Sequence, residues 1–560
     1  MLGTGTSKRL MLLALVLIVC LSAYLRLSGI SWGLRSVAAI RLESAPDTSG
    51  YGHYLSFHPD EFISIRGMSP IRLLYGKLKA PDAYFEGTFN YYLWAVPRIF
   101  IDLCNGKETS ARHLSPDQLT FILFAGRLMS VVFDLLTLLL VYAIICELTN
   151  QRVAALLGAL LYGVFPIQVI YSHFMRTYTL ANLLCVLVIW LSLKALKHRE
   201  WWLFLITGIA AGLAAATRYP AALIITVPCG FVLLSGELGN EPWRQRLRNS
   251  FVYLLSGPIW LLACGFFVGL FVGEPMLFLD FRSVVEAIFF EASSYAPPGG
   301  KNPFDVTPVW RYLSVLIPHG SYPVLWLLIY ASTLYAILRP ALWPTTVPLL
   351  LFALLYTYAM AKGYLDLYAR LTMLLMPVLC IFVGLAWADI FPKILNRPRV
   401  LLPTVIVLFL LILPTVVFDW VYGEAMKRRD VRDLVRNDIR NLSKGRSSTT
   451  IAVSEYGCFF YTAMPAVLPL ETKNNNIKVQ LESSLVIPAD FFVIGFERPL
   501  PQKVRDSMIR KVESRGAFRF MKAYSRAPKV FGRTLNLSNF PVDMTYPFPT
   551  ILLFAKTVPP

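Results

Sequence analysis

The sequence predicts a polytopic α-helical membrane protein that ends in a small α/β domain. Three observations predict it. The 560 residues are 56% hydrophobic and only 16% charged, far from the composition of soluble chains. Apolar runs of membrane length recur from Leu10 to Val421, about eleven in all. Beyond Gly423 these runs stop, and short strand-like and amphipathic stretches replace them. The expected division is 1–422 for the membrane part and 423–560 for the second domain. No internal repeat or low-complexity linker interrupts it.

Leu10 to Gly29 is the first span, with Lys8 and Arg9 holding its start in the cytoplasm. It lacks a convincing small-x-small cleavage site and reads as retained. A long outer segment, Ser31 to Gln118, carries His53, the stretch Phe57-His58-Pro59-Asp60-Glu61, and the aromatic run Phe89–Trp94. That run is interrupted by Pro97-Arg98 and suits an interfacial helix. Span two, Leu119–Leu148, contains Arg127 and Asp134. Val153–Tyr171 is span three, and Ser172–Tyr178 (SHFMRTY) is a polar break. Thr179–Leu196 and Trp201–Ala216 are spans four and five. Arg218-Tyr219-Pro220 is a turn, and Ala221–Leu234 a short sixth span. After a loop with Arg244, Arg246 and Arg248 comes Phe251–Val272. Residues 273–312 read as a loop with Glu274, Asp280, Glu286, Glu291 and a Pro-Pro-Gly-Gly turn at 297–300. Leu316–Leu338, Thr346–Ala361, Leu371–Ile390 and Val400–Val421 complete the set. Alternation puts the more basic loops on one side, which the positive-inside rule makes cytoplasmic. His58–Glu61 and the C-terminal domain then face away from the cytoplasm.

In the C-terminal domain, Asp430–Lys444 has helical amphipathic spacing. Thr450–Val453, Phe491–Ile494, Phe518–Tyr524 and Thr550–Phe554 read as strands, and Gln502–Arg515 as a basic helix. The net charge of +19, in a chain this apolar, points to anionic membrane lipids rather than nucleic acid. A merely solvated basic face is the alternative for this domain. The eight cysteines are scattered without CxxC spacing, so they read as packing residues, with neither a disulfide framework nor a zinc site.

The chemistry concentrates at Asp60-Glu61. Carboxylates are scarce here and costly near lipid unless something uses them. Pro59 restricts His58 to extended backbone and suits a helix start, where the dipole favours acidic residues. An ordinary acidic helix cap is the alternative reading. Arg66, Arg127, Arg176, Arg218 and Arg370 lie at or near span ends, where arginine either neutralises phosphate or snorkels as an anchor. Arg127, well inside an apolar run, needs a partner. No Walker A, GxSxG or HExxH motif appears. A carboxylate that takes a hydroxyl proton, with arginine on a leaving phosphate, suits transfer from a lipid phosphate.

An ordered set of pieces carries a resemblance. It runs HPDE (His58–Glu61), Asn90-Tyr91-Tyr92, Gly126-Arg127-Leu128, Ser172-His173 with Arg176-Thr177-Tyr178, and Gly212-Leu213-Ala214 with Thr217-Arg218-Tyr219. Glu274-Pro275 with Asp280, Ala369-Arg370-Leu371 and Tyr546-Pro547-Phe548-Pro549 follow. In this order the chain resembles GT-C-fold, polyprenyl-phosphate-sugar-dependent glycosyltransferases of glycosyltransferase family 39 type, the branch similar to protein O-mannosyltransferases and aminoarabinose transferases. The resemblance covers nearly the whole chain. It implies Asp60 as catalytic base, Glu61 as its support, and inversion at the sugar. It implies phosphate contacts from Arg66 and Arg370, and Arg127 and Arg176 binding phosphate or orienting the acidic pair. His58, His173, Tyr178 and Arg218 complete the implied substrate-binding set. It further implies a polyprenyl-phosphate-sugar donor, a protein, lipid or glycan acceptor, and a bacterial inner membrane with the active site outside the cytoplasm. Relatives often carry a lysine where Gly87-Thr88 stands and an acidic residue where Thr177-Tyr178 stands. A divalent metal ion on His53, His58, Asp60 and Glu61 is an alternative use of the acidic stretch. A transporter or flippase of lipid-linked sugars is the alternative function, but such proteins place charges near the midplane and often show repeated halves.

Overall fold

The computed structural model describes residues 4–34, 58, 60–68, 71–72, 77–78, 84, 86–106, 115–234, 256–294, 305–363, 368–456, 477–481 and 489–557. Six helical stretches among them are long and apolar enough to cross a membrane, and the bent pair Arg152–Gly163 and Pro166–Ser172 makes a seventh. Four shorter apolar helical segments, Trp201–Thr217, Tyr219–Leu234, Gly257–Gly273 and Leu325–Ile337, stand where the other expected spans lie. The chain is a multi-pass membrane protein.

Several elements depart from the sequence reading. The third span is bent by 56°, because Pro166 supplies no N–H and Phe165 before it is held extended. Arg218 is a single extended residue, and the expected turn after it is a 3₁₀ segment, Tyr219–Ile225. Residues 273–312 are not a plain loop, since Met276–Leu279 and Phe281–Ser294 are helical. The eighth span starts earlier, at Thr307, and breaks between Gly320 and Leu325, where Pro323 again removes a donor. The aromatic helix runs through Pro97, from Phe89 to Asn105. His53, Cys458, the Arg244–Arg248 loop and the 297–300 turn lie outside the described residues.

The chain forms two compact units. The first comprises Met1–Leu27, Arg66–Val96 and Arg127–Asp419, the second Ser28–Ile65, Pro97–Gly126 and Trp420–Pro560. In the first, the helices Trp201–Thr217 and Gly257–Gly273 meet backbone to backbone. Gly208 and Gly212 on one face Gly265 and Gly269 on the other, the small-xxx-small spacing that lets apolar helices approach closely. A Cβ at Gly212 would lie 2.1 Å from the Phe266 carbonyl oxygen. Gly212→Ala is therefore expected to destabilise by about 1–3 kcal/mol and to lower the thermal midpoint in detergent. Gly257→Ala, where nothing lies within 4 Å, should leave it unchanged.

The second unit contains a five-stranded mixed sheet of β1 (Thr449–Tyr456), β2 (Ile477–Leu481), β3 (Phe491–Phe496), β4 (Phe518–Ser525) and β5 (Thr550–Lys556). The order is β2-β1-β3-β5-β4. β1 pairs parallel with β2 and β3, and β5 pairs antiparallel with β3 and β4. Period-two alternation divides the buried residues between two faces. Ile451, Val453, Phe491, Val493, Ile551 and Leu553 pack with Val431, Val435 and Ile439 of the helix Val431–Leu442. Ala452, Phe492, Ile494, Leu552 and Phe554 pack with Val512 of the helix Gln502–Glu513. Asp430 caps the first of these helices by accepting from the Arg432 backbone N–H at 2.8 Å.

Candidate active site

The helix Glu61–Met68 begins at the expected acidic pair. Asp60 sits in the turn before it and is partly exposed, whereas Glu61 is fully buried. His58 holds the turn. Its Nδ1 accepts from the Asp60 backbone N–H at 3.2 Å, and its carbonyl accepts from that of Glu61 at 3.3 Å. The buried His58 ring and the Tyr546 ring of the Tyr-Pro-Phe-Pro segment meet edge to face at 5.0 Å between centroids, so His58 is seated against the C-terminal domain. Arg432 fixes that segment by donating to the Tyr546 carbonyl at 3.1 Å, while its other nitrogen pairs with Asp430 at 3.0 Å. Trp32 donates to the same Asp430 carboxylate at 3.0 Å. Arg66 lies one to two turns into the helix, but its side chain is outside the described residues.

The first unit gathers Arg176, Tyr178 and Arg218 around a residue that the sequence reading had not singled out, Glu86. Arg176 donates to Glu86 Oε1, and Arg218 Nη1 lies 3.6 Å from the same oxygen. The Arg218 guanidinium stacks over the Tyr178 ring at 4.0 Å, and Tyr171 meets that ring edge-on at 5.3 Å. Glu86 reaches this position because Gly87, at φ +94°, lets the backbone run against the end of the helix Trp201–Thr217. A Cβ there would lie 2.4 Å from the Ala216 carbonyl oxygen. Thr88 and Asn90 then cap two helix C-termini, donating to the Gly273 and Thr217 carbonyls at 2.8 and 3.0 Å.

Glu274 directly follows the helix end at Gly273 and is fully buried. Tyr219 lies 3.5 Å from its Oε2. Burial pushes its carboxyl up to about 7, against the opposing pull of hydrogen bonds from Thr88 and Tyr219. The folded chain therefore holds this proton more tightly than the unfolded chain. The associated stability is complete below about pH 4.5 and is lost as pH rises through about 7, about 3 kcal/mol in all. Wild type should lose thermal stability between pH 5 and 8 relative to Glu274→Gln, measured as paired melting curves.

The remaining expected residues are placed separately. Arg127 is buried within the helix Pro116–Thr149. His173 is buried and donates from Nδ1 to the Val169 carbonyl at 2.7 Å. Arg370 stacks on Tyr368 at 4.2 Å in the 3₁₀ turn Ala369–Thr372. Among the described residues no three His, Cys, Asp or Glu side chains converge to hold a metal ion. Glu86 and Glu274 carried weak signals. Glu86 stands next to the Gly87-Thr88 departure, and Glu274 lies in a motif to which no role was attached.

Residues 119–268 match the family described as dolichyl-phosphate-mannose-protein mannosyltransferase. The match supports a GT-C-type glycosyltransferase. The matched stretch holds Arg127, His173, Arg176, Tyr178 and Arg218, but neither the acidic pair nor Arg370. No curated protein matches this chain. Among solved structures it is similar to the Archaeoglobus fulgidus oligosaccharyltransferase tethered with an acceptor peptide, at 14% identity and TM-score 0.43 over 82% of this chain. It spans 63% of that protein's length. It is also similar to ArnT from Cupriavidus metallidurans bound to undecaprenyl phosphate, at 12% identity and TM-score 0.43 over 98% of both chains.

Proposed function

We propose that this protein moves a sugar from a polyprenyl-phosphate donor to an acceptor hydroxyl on the extracytoplasmic face, with inversion and with Asp60 as the base. The observation that carries this reading is the contrast between adjacent carboxylates, Asp60 partly exposed and Glu61 fully buried. The exposed one is open to an acceptor, and the buried one braces the turn. Both stand where a helix N-terminus favours the charged form, as a base requires. The acceptor O–H gives its proton to Asp60, and its oxygen bonds to the anomeric carbon. The bond from that carbon to the phosphate oxygen breaks, and the electron pair leaves with the polyprenyl phosphate. Arginine neutralises that leaving group. Arg66, Arg127, Arg176, Arg218 and Arg370 are the candidates, with Arg176 and Arg218 held in place through Glu86. His58 holds the base, and His173 and Tyr178 line the substrate region.

The test uses purified protein with polyprenyl-phosphate hexose and pentose donors carrying a radiolabelled sugar. Sugar on an acceptor, one polyprenyl phosphate released per transfer, and an anomer opposite to that of the donor are expected. Movement of labelled lipid between leaflets without sugar transfer would overturn the reading in favour of a flippase.

A further inference from the structure

A cleft of about 960 Å³ opens in the second unit. Residues 31–34 after the first helix, the opening turns of the helix Pro116–Thr149, and the end of the helix Pro398–Met426 line it together with the helix Val431–Leu442. Three of these four elements are the ends of membrane-length helices, the depth at which lipid headgroups lie.

The charges in the cleft do not balance. Lys427, Arg428, Arg429, Arg436 and Arg440 face it, against Asp117, Asp430 and Asp433. Asp430 is engaged by Arg432 and Trp32, and Asp433 by Arg436 at 3.0 Å. Lys427 is paired with Glu424. Arg428 and Arg440 are exposed, and neither side chain has a hydrogen bond or ion pair among the described residues. Arg436 is buried and feels both Arg440 and Arg429 as like charges. A bound anion would relieve that repulsion.

One wall of the cleft is apolar. Phe121 and Phe124 line it and remain 43% and 39% exposed. One helical turn apart on one face, they form an outward apolar stripe beside the cationic mouth. A free phosphate uses the mouth alone, whereas a lipid uses both the mouth and the stripe.

We propose that this cleft binds the phosphate headgroup of an anionic glycerophospholipid, with its acyl chains starting along the Phe121–Phe124 stripe. Arg428 and Arg440 carry the selectivity, and Arg436 forms the floor. The test is native mass spectrometry of the purified full chain with equimolar dioleoyl phosphatidylglycerol and dioleoyl phosphatidylethanolamine. Wild type is expected to retain phosphatidylglycerol about tenfold over phosphatidylethanolamine. The Arg428→Gln/Arg440→Gln double variant should lose that preference, while Arg428→Lys/Arg440→Lys keeps most of it with the same melting temperature. Equal retention of both lipids by wild type, or a preference unchanged in the glutamine variant, overturns the proposal. Displacement of the lipid by equimolar glycerol phosphate overturns the lipid assignment, because a headgroup without chains would then be enough.

Discussion

Asp60→Asn is expected to lower the turnover number for sugar transfer about 10²–10⁴-fold, the usual contribution of a positioned base, while donor binding persists. The amide keeps the size and position of the carboxylate in the turn that His58 holds but cannot accept the acceptor proton. Glu61→Gln serves as the contrasting variant. Glu61 is fully buried, so the change should act through the seating of the turn, with a smaller loss of turnover and a lower melting temperature. Donor titration and single-turnover transfer on the same preparations separate the two effects. A loss of less than about tenfold in Asp60→Asn would remove it as the base.

Asp134→Asn is expected to destabilise the chain by about 3–5 kcal/mol, the cost of stripping a partner from a buried charge. Arg26 and Asp134 are both fully buried and meet at 2.5 Å. Tyr162 donates to the other Asp134 oxygen. Arg26 also donates to the Gly163 carbonyl and to Ser22 Oγ, both at 2.6 Å. Arginine does not shed its proton in a protein, so the variant leaves a fixed charge in an apolar interior. Asp419, another buried carboxylate in this unit, has neither oxygen hydrogen-bonded among the described residues. Asp419 is attracted to Arg26 without a hydrogen bond to it, so Asp419→Asn should cost clearly less stability than Asp134→Asn. Thermal midpoints of the two variants in one detergent decide it, and equal losses in both would refute the assignment of Asp134 as the partner of Arg26.

Much of the fold is legible in the sequence because burial leaves a local record. Val431, Val435 and Ile439 recur at helical spacing, and Ile451 and Val453 alternate with Ala452, so each element reports its own buried face. The strand Ile477–Leu481 was not recognised; its alternating Ile-Lys-Val-Gln-Leu is too short to stand out without the β1 neighbour that pairs with it. The bend at Pro166 shows the converse, since an apolar run measures the length of a span but not its continuity.

By itself the sequence determined the membrane class, the succession of spans, the separate α/β domain, and the acidic pair at a helix start. It also determined that Arg127 needs a partner, because a charge inside an apolar run is costly wherever the chain folds, but it assigned partners neither to Arg127 nor to Asp134 in the same span. Only the tertiary structure decided what some of those partners are. Asp134 meets Arg26 from 108 residues away, and Arg176 meets Glu86 from 90 residues away. Periodicity along one helix encodes which face is buried. The pairing of charges on different helices depends on how their faces come together, which no local spacing records.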